Sequence, residues 1–425
     1  MKYIIYAIFF LMAFTNTALF GHIYLVEIPT VIGLFMLLSH RDNKALVFNM
    51  LDRLVIIYAI FSFLSVVVGL DSLYESARYY RLVVVTPVLI YMVIRFGASS
   101  IQQLQKAVFL IIPGTFYQGL LLVQYYVVHG ERPVGVEGTI SVITLSVLIA
   151  FSLFIMLFNF PKKLKLMMNM LRYSIIAMLF IMLVISGARA GMLGFVMMVV
   201  AIYIGWQRKS RRVWIGRLML SAISVLLILI ISGSILFKDV KVEDAHDRGV
   251  SVDRLFDIDM YLWDIRGRVA FWGRIANQAL EHPLLGSGAA SHDIGKTGGT
   301  EFSLGSAHNI LVSTLRTSGV LGLAILLALI GAFYRVFKVI DNDRLTPCVL
   351  GKSVLGAASV LLMVAITNDF SGGRVFIWFL LLAMAARILN ELPRMAMTGV
   401  EQVNDKNIAN KLLVKRSTSV VHLRT

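Results

Sequence analysis

A handful of residues in this chain pair a reactive side chain with a position where it can be used. His308, followed by Asn309, heads a long apolar segment and closes a polar stretch that runs from 238 to 307. Arg189 lies in Ser-Gly-Ala-Arg-Ala-Gly, between two apolar runs with almost no loop between them. Arg266 and Arg268 open a segment whose spacing predicts a helix over 268–281, with Trp272 one turn beyond Arg268. An imidazole, with an ordinary pKa of about 6.5, suits general base work near neutral pH. A guanidinium fork suits phosphate, because it can grip two oxygens at once. Gathered where a polar loop meets a bilayer, these groups fit a substrate that is half lipid and half water-soluble.

Each of these residues also has a plainer reading. His308 could cap the helix that follows it, although ionisable groups at such depth are functional by default. Arg189 could snorkel to headgroups. Arg266 and Arg268 could be a solvated basic pair, but arginines at a helix start oppose the local dipole, so capping does not explain them. An anionic ligand at that amino-terminal end explains both charge and position. Trp272 serves most simply as packing or as an interface anchor. Arg316 follows His308 by eight residues, about 12 Å along a continuous helix, where it must face the bundle or a wet cavity. Arg78 and Arg81 flank Tyr79-Tyr80; an aromatic belt is the first account of them, and lipid phosphate binding the second. Asp369 and Arg374 bracket another turn and could pair.

The elements that must position these residues are membrane helices. Of 425 residues, 58% are apolar and 15% charged, far from the usual soluble balance. Apolar runs recur along the chain, at a length that suits helices crossing hydrocarbon, and they lack the strict alternation of barrel strands. They predict an all-α polytopic membrane protein with about twelve spans: 3–20, 23–39, 53–70, 78–95, 107–128, 139–160, 171–187, 190–206, 217–237, 308–338 with a break near Ser318-Gly319, 349–367 and 373–389. The first run is too long for a typical signal-peptide core and lacks a small-x-small cleavage site, so it is read as a span. The chain divides into nine spans over 1–237, one long loop over 238–307, three spans over 308–390 and a basic, polar tail over 391–425.

Most of the 40 Lys and Arg fall on one side when the amino terminus is placed in the cytoplasm. That assignment puts both termini inside and the long loop outside. The net charge of +16 belongs to inner loops facing anionic lipid, so it does not indicate nucleic acid. Within 238–307, acidic residues outnumber basic ones 11 to 8. The single cysteine, Cys348, permits no intramolecular disulfide, so the loop must be held by packing against the bundle. Its helix over 268–281 is amphipathic and ends at His282-Pro283. The Gly-rich sequence that follows is expected to be a mobile loop.

Two other patterns carry little. Ala290–Thr297, ASHDIGKT, matches a relaxed phosphate-loop pattern but lacks the strand before and the helix after that such a loop needs. Asp257-Ile258-Asp259 resembles the acidic pair of a metal-dependent sugar transferase, yet reads as readily as a solvated acidic patch. No zinc spacing occurs around His246.

With these residues assembled, the chain resembles the bacterial O-antigen ligase and O-antigen polymerase family. The resemblance rests on SGARAG around Arg189, GRVAFWGRIANQALEHPLLGSG from Gly267 to Gly288, and AHNILVSTLRTSGVLGL from Ala307 to Leu323, in that order across one long outer loop. It implies a GT-C-like glycosyltransferase of the bacterial inner membrane that takes a glycan from undecaprenyl diphosphate on the periplasmic face. A ligase passes the glycan to a sugar hydroxyl of lipid A-core; a polymerase, including an exopolysaccharide polymerase, passes it to another lipid-linked repeat unit. By motif, His308 is implied as the catalytic base and Arg189 and Arg268 as the diphosphate binders. Arg266, Asn309, Arg316, Trp272, Arg78 and Arg81 are the further substrate-binding candidates. The expected reaction inverts the anomeric carbon and uses no cofactor and no metal. The competing class is a twelve-helix transporter or flippase of lipid-linked glycan, against which stands the loading of polar residues into one asymmetric loop.

Overall fold

The computed structural model describes residues 1–14, 18–19, 23–39, 47–68, 77, 80–129, 141–159, 166–188, most of 191–199, 282–286, 294–297, 300–303, 310–342, 349–367 and 374–391. Within these residues the protein is a helical membrane protein. Its main helices are α1 (Lys2–Leu11), α2 (Glu27–Ser39), α3 (Met50–Val68), α4 (Thr86–Gly97), α5 (Ile101–Val108), α6 (Ile111–His129), α7 (Val142–Phe158), α8 (Leu166–Ile185), α9 (Ile310–Asn342), α10 (Val349–Thr367) and α11 (374–391). Among the described residues three helices are long and apolar enough to cross a membrane: Ile101–His129, Leu166–Ile185 and Ile310–Val336.

Burial separates central from peripheral helices. Every residue of α7 from Thr144 to Met156 is buried, as is every residue of α11 from 374 to 386. Helices that are apolar all round belong in such places. α10 packs on α7 where Gly356 lets the helices approach: a Cβ there would lie 2.9 Å from the Phe154 ring. Ser353 adds a hydrogen bond to the Phe154 carbonyl at 3.2 Å. By contrast, α3 exposes Ile56, Ile57, Ile60 and Phe63, and α8 exposes Leu166, Met167 and Met170. In a membrane protein such bare apolar faces are covered by acyl chains rather than water.

The expected span 217–237 and most of 190–206 lie outside the described residues; most of the others appear as helices with close boundaries, two are interrupted and one is preceded by an extra short helix. The run 3–20 is not one helix: α1 gives way to a 3₁₀ turn over Met12–Phe14, then to a strand pair, β1 (Ala18–Leu19) with β2 (Ile23–Tyr24). The sequence Thr15-Asn16-Thr17 supplies the cause, since such side chains offer the backbone competing hydrogen bonds. The run 78–95 is interrupted by a π-helical turn over Arg81–Val85. Pro87 lacks the N–H that would bond the carbonyl four residues earlier, and its ring crowds that carbonyl, so the regular ladder cannot pass. Ahead of the run 107–128 stands the extra short helix α5, capped by Ser100, whose hydroxyl accepts from the Gln103 N–H at 3.2 Å.

The Gly-rich stretch expected to be a mobile loop contains an antiparallel hairpin. β3 (Ile294–Thr297) pairs with β4 (Thr300–Ser303), Thr297 opposite Thr300, with Gly298-Gly299 between them in the sequence. A Gly-Gly pair between β-prone residues is a hairpin signal that the composition of the stretch obscured. Since a strand follows Lys296-Thr297 where a phosphate loop needs a helix, the hairpin agrees with setting the ASHDIGKT pattern aside.

Candidate functional site

Arg189, Arg266, Arg268, Trp272, His308, Asn309 and Arg78 lie outside the described residues. So do Asp257, Asp259, Asp369, Cys348 and the helix expected over 268–281. Of the candidate site residues, Arg316 and Arg81 are described, and both lie on segments that enclose one cavity.

That cavity has a volume of about 60 Å³ and is bounded by α3, the π-helical turn, α9 and α11. A water needs roughly 10–15 Å³ measured this way, so the space holds a few waters and no sugar ring. Its walls change character along α9. Near the start of that helix they carry the hydroxyls of Ser313, Thr314, Thr317 and Ser318, faced by Ser62 and Ser65 of α3. Further along they are apolar, with Leu326, Leu329 and Trp378. Ile310, two residues beyond His308 in the chain, also lines the cavity and packs in one buried cluster with Leu326 and Ala365.

Arg316 belongs to the same stretch of α9 and is 7% exposed, as expected for a charged residue turned into the protein. Arg81 opens the π-helical turn, whose Val83 and Val84 line the cavity. Its Nε lies 3.8 Å from Oε1 of Glu27, a residue that the sequence reading overlooked. Glu27 is buried at the start of α2, where its carboxylate accepts from the Thr86 hydroxyl at 2.7 Å and from the Tyr24 N–H at 3.0 Å. One signal for it was present: a lone carboxylate at the edge of an apolar run needs partners. Arg374, at the start of α11, is likewise buried.

α9 is broken where the sequence placed the break. Gly319 has φ 65° and ψ −167°, a region essentially restricted to glycine. A break of this kind removes the in-helix acceptors of the N–H groups that follow, and buried N–H groups must find others. Val320 donates to the Pro283 carbonyl at 2.8 Å and Leu321 to the Leu284 carbonyl at 3.4 Å. The turn that supplies them is closed by the Gly286 N–H donating to the His282 carbonyl at 2.9 Å. So the turn His282–Gly286 lands directly on the interruption in α9. The spot is backbone against backbone. A Cβ on Gly319 would overlap the Leu284 carbonyl, and one on Gly286 would meet the backbone of Arg316, Thr317 and Ser318 at 2.5 Å.

A second polar cluster, also missed, joins α3, α4 and α11. Asp52 receives Arg95 in a two-point ion pair, Nε to Oδ1 at 3.0 Å and Nη2 to Oδ2 at 3.1 Å. Tyr91 donates to the same carboxylate at 2.5 Å. Both charged residues are almost fully buried, at 1% and 2% exposure. Asn49 caps α3 reciprocally with Asp52 and also reaches the Ala386 carbonyl at 3.1 Å. This cluster belongs to the amino-terminal end of α3, the end remote from Ser65 and the hydroxyl-lined cavity wall. It has the makings of a structural clasp.

Two comparisons bear on what the arrangement does. A family model described as O-Antigen ligase matches residues 174–327. That interval takes in Arg189, the whole of 238–307, His308, the broken segment of α9 and Arg316. No curated protein matches the chain.

Proposed function

We propose that this chain, similar over residues 174–327 to O-antigen ligases, is itself such a ligase: it transfers a glycan from undecaprenyl diphosphate to a sugar hydroxyl of lipid A-core. The observation that carries this reading is the extent of the match, which includes all three stretches around Arg189, Gly267–Gly288 and Ala307–Leu323. In this reading the protein is a twelve-span protein of the bacterial inner membrane, with cytoplasmic termini and with 238–307 on the periplasmic face. The division into 1–237, 238–307, 308–390 and 391–425 goes with it.

The depth of α9 supports the assignment. Residues 320–338 after the break span about 28 Å at 1.5 Å per residue, close to the hydrocarbon thickness of about 30 Å. In this reading residues 310–318 are not needed to cross the bilayer and belong toward its outer boundary, with Ile310 packed beside Leu326 and Ala365. The Ser65–Thr317 hydrogen bond gives the same depth, since Ser65 lies three residues from the end of α3. A diphosphate on a polyprenol sits at that level.

Chemically, a lipid diphosphate is already a good leaving group, so the protein must bind its charge and stabilise what builds on departure. Arg189 and Arg268 take that role, with Arg266, Arg316, Arg78 and Arg81 as further cations and Trp272 and Asn309 as contacts. His308 takes the proton from the acceptor hydroxyl as its oxygen attacks the anomeric carbon. The glycan's bond to diphosphate breaks as the new bond forms, with inversion. Neither a metal nor a cofactor enters the scheme.

The test is an assay with purified protein, lipid-linked glycan and two separated acceptors. Glycan appearing on lipid A-core supports the ligase. Glycan appearing only on a second lipid-linked unit would make the protein a polymerase of the same type. Movement of lipid-linked glycan across vesicles with no change in linkage would make it a transporter.

A further inference from the structure

The turn His282–Gly286 is a point of attachment between the long loop and α9. It occupies the break in α9, and two parts of the chain extend from that fixed point. One runs back through the long loop to Arg268, eighteen residues before Gly286; the other runs back along α9 to His308, eleven residues before Gly319. Val320–Pro283 and Leu321–Leu284 are the backbone hydrogen bonds that join this turn to α9. Holding the turn against the break fixes one point of the loop on α9.

We propose that Gly286 and Gly319 are positioning residues of the transfer site: their bare backbones let the loop turn seat in the α9 break and so register the diphosphate-binding segment against the His308 segment. This rests on the functional reading above. Only glycine serves at Gly319, because of its backbone angles and because a Cβ would collide with the Leu284 carbonyl. At Gly286 a Cβ would collide with the main chain of three successive residues of α9, which cannot swing aside as a side chain can. Neither residue touches substrate in this scheme. Their effect passes through geometry, and a misplacement of about 1 Å can cost on the order of 100-fold in rate.

The experiment uses full-length protein in two arms. In the first, Gly286→Ala and Gly319→Ala are purified and donor transfer is measured per folded molecule. A fall in kcat of at least about tenfold is expected, with donor KM within about threefold of the parent, because registry rather than affinity is lost. Unchanged kcat in a folded variant overturns the proposal. In the second, Leu284→Cys and Leu321→Cys are combined with Cys348→Ser and oxidised in the membrane. A cross-link should form, and the cross-linked protein should transfer glycan at the rate of its reduced form. Failure to cross-link, or activity lost on oxidation and regained on reduction, would mean that the turn is not seated or must leave the break, and either result overturns the proposal. The cross-link is read without substrate, so it decides the matter even if the alanine variants do not fold. Should the parent protein transfer no glycan to any acceptor, the functional reading fails while the cross-link still reports on the clamp.

Discussion

Ser65 donates its hydroxyl to the main-chain carbonyl of Thr317 at 2.5 Å, tying the carboxyl-terminal end of α3 to the last turn of α9 before its break. Ahead of a break, carbonyls lose their in-helix N–H partners, because the donors that would follow have turned elsewhere. Thr317 is the residue that Leu321 would have bonded in a regular helix; Leu321 donates to Leu284 instead, and Ser65 takes the vacated acceptor. The break is thus balanced on both sides, its donors by the loop turn and its acceptor by α3.

Ser65→Ala removes that donor and leaves the part-buried Thr317 carbonyl facing the cavity without its protein partner. The expected loss is about 0.5–1.5 kcal/mol of stability, the net worth of one hydrogen bond. Thermal unfolding of the purified protein in detergent checks it, with Ser65→Thr, which keeps the hydroxyl, as the milder comparison. An unchanged melting temperature for Ser65→Ala would remove this bond from the account of the break.

For His308→Ala, transfer should fall by roughly 10²–10⁴, the usual contribution of a general base, while membrane insertion and protein level stay normal. Quantitative blotting of membranes alongside the transfer assay separates the two effects. Transfer at the parent rate would leave the reaction without its proposed base.

Arg189→Lys and Arg268→Lys keep the charge and lose the planar fork. Both are expected to cut transfer at least about tenfold, the cost of losing one charge-assisted hydrogen bond of about 1.5–3 kcal/mol. Titration of the donor is the measurement. Lysine variants working at the full rate would refute bidentate diphosphate binding at those positions.

At the remote end of α3, Arg95→Leu strands the Asp52 carboxylate among buried groups. Removing one partner of a buried pair costs about 3–5 kcal/mol, whereas replacing both partners with apolar residues is often close to neutral. Thermal unfolding should therefore show Arg95→Leu far less stable than the Arg95→Leu/Asp52→Leu double variant. Similar stabilities for the two would mean that the pair does not act as a clasp.

Much of the scaffold was readable because hydrocarbon imposes a simple rule on sequence. The run 349–367 coincides with α10, 139–160 encloses α7, and the break expected near Ser318-Gly319 falls at Gly319. Polar interruptions were harder to read. Thr15-Asn16-Thr17 cost the first run only a little hydropathy, yet α1 closes before it. Asp52 and Arg95 each sit at the edge of an apolar run, where a charge looks like an ordinary boundary marker; their pairing depends on how α3 and α4 fold beside one another, which one-dimensional spacing does not carry. Glu27 escaped for the same reason, its partners Thr86 and Arg81 lying more than fifty residues away. The seating of Gly286 on α9 was equally hidden, since a glycine in a Gly-rich stretch reads as slack when its use is close approach.

Because residues 320–338 alone are long enough to anchor α9, the stretch from 310 to 318 carries no burden of insertion. Adding or deleting one residue there would turn whatever precedes it by about 100° and shift it by about 1.5 Å, at the expense of Ile310's place beside Leu326 and Ala365. If His308 is the base proposed above, length changes in so short a lever would alter which hydroxyl of an incoming sugar meets it, and hence the regiochemistry of the bond made.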